Sequence, residues 1–364
     1  MKHDRAFVAV ILSAIILPFC IVSVIGGMQS TIVDLGSMRG QTSAAMAINN
    51  AGDVVGQANS TAFLWRHGHM AKLPMLLNRS DPSSPPANSI AYSINDAGVI
   101  AGDCDTDGGE ILGTERGQYN AVLWDHGAIR DLGSLPGYLC ASARHINNAG
   151  VTVGLGVNES MGFGTREYKA AVGVYTPGKT FRMSNARLYA ENSQGDRVEA
   201  IRMHGATRIR LTIGGVARLL DEIKFPEMPL DVFINDQRQV VMNVGRQGSG
   251  EPGDSDSIGS YIVTWRNGSV RTILPSITGF PETSASGVNN RGEIVGFAYN
   301  PSQYSSGTRG VLWNGSSIVD LTKTYTQGTF WTIERAAGIN DAGVVVGTGR
   351  EAGLNPRAIL LKTR

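Results

Sequence analysis

The chain has 364 residues, a net charge of +1 and only 17% charged residues. Its length exceeds one small core and fits two average domains or one large all-β domain. The near-zero charge gives no global field for nucleic acid or anionic lipid, which argues against a nucleic-acid-binding class. With 42% apolar residues and 46 glycines, the composition excludes disorder and favours many short strands joined by turns.

Residues 6–28 form the first element. They read AFVAVILSAIILPFCIVSVIGGM, carry no charge, and follow Lys2 and Arg5. About 20 apolar residues span a bilayer core. The basic flank keeps residues 1–5 in the cytoplasm and sends the rest outward. An uncleaved transmembrane anchor and a cleaved signal peptide both fit, since Val24-Ile25-Gly26 only loosely matches the small-x-small cleavage pattern. Either way residues 31–364 are exported. They face the periplasm from the inner membrane if the anchor stays, and are secreted if it is removed. The next stretch, TIVDLG (31–36), reads as a strand with nothing before it to pair with.

A repeat then begins. AINNAGDVVG (47–56) returns as SINDAGVIAG (93–102), HINNAGVTVG (145–154), GVNNRGEIVG (287–296) and GINDAGVVVG (338–347), with weaker copies at 190–199 and 233–242. The anchoring residues are Asn49, Asn95, Asn147, Asn192, Asn235, Asn289 and Asn340, spaced 43 to 54 residues apart, a period typical of propeller blades. Each copy is followed by a Trp-type run, as in AFLWRHG (62–68) and AVLWDHG (121–127), and most by a short closing run such as IRDLG (129–133) or IVDLT (318–322). Each unit thus holds four strands. The Asn-x-x-Gly step suits a turn, because Asn bonds its own backbone and Gly takes positive φ freely. In the fifth copy Arg238 replaces that Gly, so the turn is expected to be strained by roughly 1–2 kcal/mol and less regular. Trp65, Trp124, Trp265 and Trp313 are expected to pack between blades. Seven radial units of four strands make an all-β, seven-bladed β-propeller. The last unit ends at its third strand, Ala358–Lys362, so residues 31–36 are expected to supply its missing fourth strand and close the ring.

The run "DLGS…SxAxxINxxGxVVG…AFLWxxGxxxDLG" resembles the HAF-repeat family of bacterial extracellular proteins, over essentially residues 31–364. The resemblance implies an exported repeat protein of propeller type and no catalytic set. The family's His before Ala-Phe-Leu-Trp is replaced here by Thr61, Asn120 and Arg309, so any function of that His does not carry over.

Departures from the repeat mark candidate sites. Asp103, Asp105 and Asp107 alternate before Gly108, a front half suited to Ca²⁺, the one cofactor the residues suggest. A solvated acidic loop is the plainer reading, and Glu251–Ser257 reads as a linker. Cys104 and Cys140 are the cysteines outside the apolar segment, so an oxidising compartment allows a disulfide between them. Arg202, Arg208 and Arg210 belong to an arginine-rich fourth unit that suits a ligand or partner surface, carboxylate or phosphate in kind; a divergent solvated face is the alternative. His145 sits on a first strand, alone. No G-x-S-x-G, H-E-x-x-H or C-x-x-C is present. The expected function is a binding module for a protein or glycan of the cell envelope, with variable loops on a fixed scaffold. The alternatives are a polysaccharide lyase or glycosidase at the channel mouth, which needs paired carboxylates or a His–Tyr–Arg cluster on the first strands, and an architectural envelope protein.

Overall fold

In a computed structural model of the chain, the described residues are 32–78, 83, 88–106, 118–162, 165–246, 259–266, 270–302 and 307–363. They build seven antiparallel four-stranded sheets. The apolar segment 6–28 and residues 1–5 lie outside them. Among the described residues no helix is long and apolar enough to cross a membrane.

The blades follow the repeat. Blade one holds Ser43–Ile48, Val54–Ala58, Thr61–Arg66 and His69–Lys72; blade two holds Ser89–Ile94, Ile100–Asp105, Tyr119–Asp125 and Ala128–Gly133. The first, innermost strands of blades three to seven are Cys140–Ile146, Leu188–Glu191, Glu227–Ile234, Glu282–Val288 and Trp331–Ile339. Six sheets are contiguous in sequence. The seventh places Ile32–Asp34 beside Arg357–Lys362, with Ile32 opposite Leu361, Val33 opposite Leu360 and Asp34 opposite Ile359. Leu35 N–H then donates to the Ala358 carbonyl at 2.9 Å. The closing run of blade six is shorter than its sequence suggests: after Ser317–Asp320 the chain turns into the helix Leu321–Tyr325, capped by the Asp320 carboxylate on Lys323 N–H.

The core lies between blades. Trp124 packs with Val55 and Ala62 of blade one, Trp265 with Val198 and Ala200 of blade four, Trp313 with Val241 and Ile262 of blade five, and Trp65 with Val346 and Leu360 of blade seven. Each large ring therefore covers the preceding blade, where it removes most apolar area from water. Trp124 and Trp313 are buried and donate their indole N–H to Pro74 and Pro275 carbonyls at 2.7 and 2.8 Å.

Glycine in the Val-Val-Gly run does more than lie in a strand. A Cβ on Gly56, Gly102, Gly154, Gly296 or Gly347 would sit 1.9–2.2 Å from a carbonyl oxygen of the innermost strand. That strand carries a bulge at the facing point in the same five blades, leaving Met46, Tyr92, Arg144, Ser286 and Ala337 as the extra residue. In blade four Glu199 stands at the glycine position and the strand pairs without a bulge; in blade five Met242 stands there and the bulge moves to Leu230. The bulge turns its extra side chain toward the axis.

The Arg238 turn is not less regular than the others. Arg238 takes φ +60°, and its N–H closes the turn on Asn235 at 3.0 Å, as Gly52 does on Asn49 at 3.1 Å. Its guanidinium Nε donates to the buried Asp196 carboxylate of blade four at 2.7 Å, which offsets the strain. The irregularity of blade five lies instead at its displaced bulge.

Candidate functional site

Each innermost strand ends on Ile-Asn or Val-Asn in most copies, and the asparagine has two partners. Its Oδ1 accepts the N–H four residues on, at 2.8–3.0 Å in all seven blades. Its Nδ2 donates to the carbonyl of the corresponding asparagine in the next blade, at 2.7–3.2 Å, from Asn49 round to Asn340 and back to Asn49. A second ring runs beside it. The N–H of Asn50, Asp96, Asn148, Ser193, Asp236, Asn290 and Asp341 each donates to the side-chain oxygen of its counterpart one blade on, at 2.7–3.2 Å. Two closed circuits thus tie one mouth of the channel. A turn-only role for the asparagine misses both; the signal of the second in the sequence is the acceptor side chain that follows Asn in every copy.

The channel interior is less symmetric. Three residues before the ring asparagine stand Met46, Tyr92, Arg144, Tyr189, Val232, Ser286 and Ala337, a different residue in almost every blade. A cavity of about 540 Å³ opens there. Blades two to five give it a polar and aromatic wall of Tyr92, Arg144, His145, Arg187, Tyr189, Asp231 and Phe233. Blades six, seven and one face it with Ser284, Ala285, Ser286, Ala337 and Met46, joined by Arg335. The Arg144 guanidinium lies over the Tyr92 ring at 4.1 Å, and His145 meets the Phe233 ring edge-on at 5.6 Å. Tyr92 donates its hydroxyl to Asp103 Oδ2 at 3.0 Å, and Tyr189 donates to Glu191.

Arg144, His145 and Arg335 keep solvent-accessible surface although protein surrounds them on the channel side. That enclosure pushes the Asp231 carboxyl up and the His145 imidazole down; each one's charge opposes the other's shift. Burial, then the bond to Glu191, raises the Tyr189 hydroxyl. At the asparagine-ring mouth a second cavity of about 290 Å³ is lined by Asp96, Glu191, Asp236 and Asp341 and, among the described residues, by no Lys or Arg.

The residues singled out from sequence are placed differently. Asp103 and Asp105 are buried on the second strand of blade two, not on an open loop; Asp105 accepts from Asn88 Nδ2 at 3.2 Å. Asp107 lies outside the described residues, as does 251–257. Among the described residues no group of three His, Cys, Asp or Glu is arranged to hold a metal ion. Cys104 and Cys140 carry thiols rather than a bridge. Cys104 packs with Val55 and Ala62 of blade one and accepts Leu76 N–H at 3.3 Å, while Cys140 opens blade three opposite Val157. Arg202, Arg208 and Arg210 do not converge. Arg208 and Arg210 share one face of blade four, each on a carboxylate: Glu222 at 3.1 Å and Glu199 at 2.8 Å. Arg202 stands opposite Thr207, the residue before Arg208, and so points to the other face. His145 was seen alone from sequence; Tyr92, Arg144, Tyr189, Asp231 and Arg335 around it were missed.

No family model matches the chain, and no curated protein does. Among solved structures it is similar to the uncomplexed acylaminoacyl peptidase of Pyrococcus horikoshii, with a TM-score of 0.53 and 11% identity over 88% of this chain and 51% of that one. It is similar also to an acylaminoacyl peptidase in complex with Z-Gly-Gly-Phe-chloromethyl ketone, with a TM-score of 0.55 and 11% identity over 89% of this chain and 52% of that one. The chain spans about half the length of either. At this identity the likeness is one of fold alone.

Proposed function

We propose that the protein is an exported propeller that binds a protein or glycan of the cell envelope in the channel mouth away from the asparagine ring. One observation carries this reading: the side chains that break the repeat gather on one wall of a single cavity, while the residues that keep it build the ring. A fixed frame with one variable, polar and aromatic pocket is how a binding site is set on a repeat scaffold. Glycan arrays and pull-downs against envelope components test it. A captured ligand is expected to be lost when Ser286→Leu fills the pocket; blank arrays and pull-downs alike would overturn the reading.

His145, Tyr189 and Arg144 on one cavity also favour a second reading, a polysaccharide-acting enzyme. A neutral imidazole, a phenol and a guanidinium supply base, acid and charge stabilisation. Incubation with polysaccharides, read for new reducing ends or unsaturated products, tests it; no product above the His145→Ala background sinks it.

For the ring, we infer that pairing of Ile32–Asp34 with Arg357–Lys362 is its closing contact. The register and the buried Leu35 beside Phe63 and Leu360 support this.

A further inference from the structure

Resting on the channel as the binding site, we infer that its ligand is an acidic sugar, held through its carboxylate by Arg144, Arg187 and Arg335. These three guanidiniums face one cavity in which Asp231 is the only carboxylate among the described lining residues. Several arginines elsewhere on the protein hold a carboxylate, as Arg208 holds Glu222, Arg210 Glu199 and Arg350 Glu334. Those in the channel share one carboxylate, Asp231, whose charge acts on Arg144 and Arg335. Among the described residues Arg144 donates to Ser142 Oγ and stacks on Tyr92, Arg187 reaches Met228 Sδ at 3.9 Å, and Arg335 stacks on Phe297 at 4.7 Å. Stacking fixes the plane of a guanidinium and leaves N–H groups at its edge for a planar oxyanion.

The channel is also polarised along its axis. Arg187 and Arg335 lie five residues before the ring asparagine and Arg144 three before, toward one mouth. Asp96, Asp236, Asp341 and Glu191 line the other. An anion is attracted at the first mouth and repelled at the second, so it seats in one direction.

The rest of the cavity suits a sugar. On the side of the cavity that holds Arg335, Ser286 Oγ is buried with no hydrogen-bond partner among the described residues, a group that costs free energy until a ligand hydroxyl meets it. Tyr92, Tyr189 and Phe233 give flat apolar surface to the ring. A volume of about 540 Å³ falls in the ordinary range for small-ligand sites.

The test is isothermal titration of the full chain with galacturonate, trigalacturonate, glucose and a tripeptide with a free carboxylate. The uronates are expected to bind at least about tenfold tighter than glucose, since each charge-assisted bond is worth that much or more. Tighter binding of the trimer assigns a glycan chain end; equal binding assigns the free sugar. Arg144→Gln and Arg335→Gln are each expected to weaken the uronate about tenfold, with Arg208→Gln as the unaffected control. Should a channel variant fail to fold, the wild type decides: added NaCl weakens uronate binding and leaves glucose unchanged. Uronates that bind no tighter than glucose, or a tripeptide that binds in their place, overturn the acidic-sugar inference. The channel reading outlives that result if Ser286→Leu abolishes the binding seen, and falls with it if Ser286→Leu changes nothing.

Discussion

Asn289 shows how much one repeated side chain carries. Its Nδ2 donates to the Asn340 carbonyl and to Glu293, and its Oδ1 accepts Glu293 N–H, all at 2.8–2.9 Å and all buried. Truncation leaves a buried donor and a buried acceptor unmet, which costs about 1–3 kcal/mol each. Asn289→Ala is therefore expected to lose about 2–4 kcal/mol in urea unfolding; a loss near zero would mean the circuit contributes nothing. A second residue-scale test uses pH. Arg66 holds Asp53 through two bonds at 2.8 and 2.6 Å and keeps its carboxyl below the usual range. A lowered folded value means the stabilisation is complete above the unfolded value, near pH 3.9, and is lost as pH falls through the folded one. Arg66 is half exposed, so Arg66→Gln is expected to cost only about 0.5–1 kcal/mol at pH 7. Below about pH 4 the difference between variant and parent should shrink. A gap that stays constant in acid would contradict the pairing.

At the scale of the element, the strand-two glycine decides how the innermost strand runs. A Cβ on Gly296 would lie 2.0 Å from the Ser284 carbonyl oxygen, against backbone that has little room to yield. Gly296→Ala is expected to destabilise by about 1–3 kcal/mol, and, because Ser286 is the bulge residue of that blade, to weaken channel ligands as well. An alanine that leaves both melting and binding unchanged would show that the bulge does not need the glycine. The strand Ile32–Asp34 offers a separate test. Leu35 N–H bonds Ala358, and hydrogen-bonded pairs alternate along an antiparallel ladder, so Val33 opposite Leu360 is again a bonded position. Val33→Pro removes that donor and is expected to cost about 1–3 kcal/mol, read as earlier unfolding in denaturant. Unchanged unfolding would mean that the ring is held by the asparagine circuits alone.

Across the whole molecule, the blades are joined unequally. Among the described residues apolar clusters join blades seven and one, one and two, two and three, four and five, five and six, and six and seven. Between blades three and four no such cluster is found among the described residues, and the contacts there include Asn147 to Asn192 and Asn148 to Ser193. Local opening follows the least buried contact. Hydrogen exchange is therefore expected to be fastest, among the ring amides, at Asn148 and slowest at Asn290 and Asp341; uniform exchange round the ring would contradict an unequal joint. Much of this architecture was legible in the chain itself. Six Asn-x-x-Gly copies, one Asn-x-x-Arg copy and the Trp runs state the blade count, because each unit repeats the same local chemistry. The site was not legible. Tyr92, Arg144, Tyr189, Asp231 and Arg335 are scattered over five blades, and no local pattern relates them. The arginines that were visible as a cluster, Arg208 and Arg210, are neutralised by Glu222 and Glu199 on neighbouring strands. Sequence by itself determined the repeating unit, since turns, strands and inter-blade tryptophans depend on neighbours a few residues away. Only the tertiary structure decided which side chains meet, since closing seven blades on one axis brings together residues from separate blades, and charge acts through space rather than along the chain.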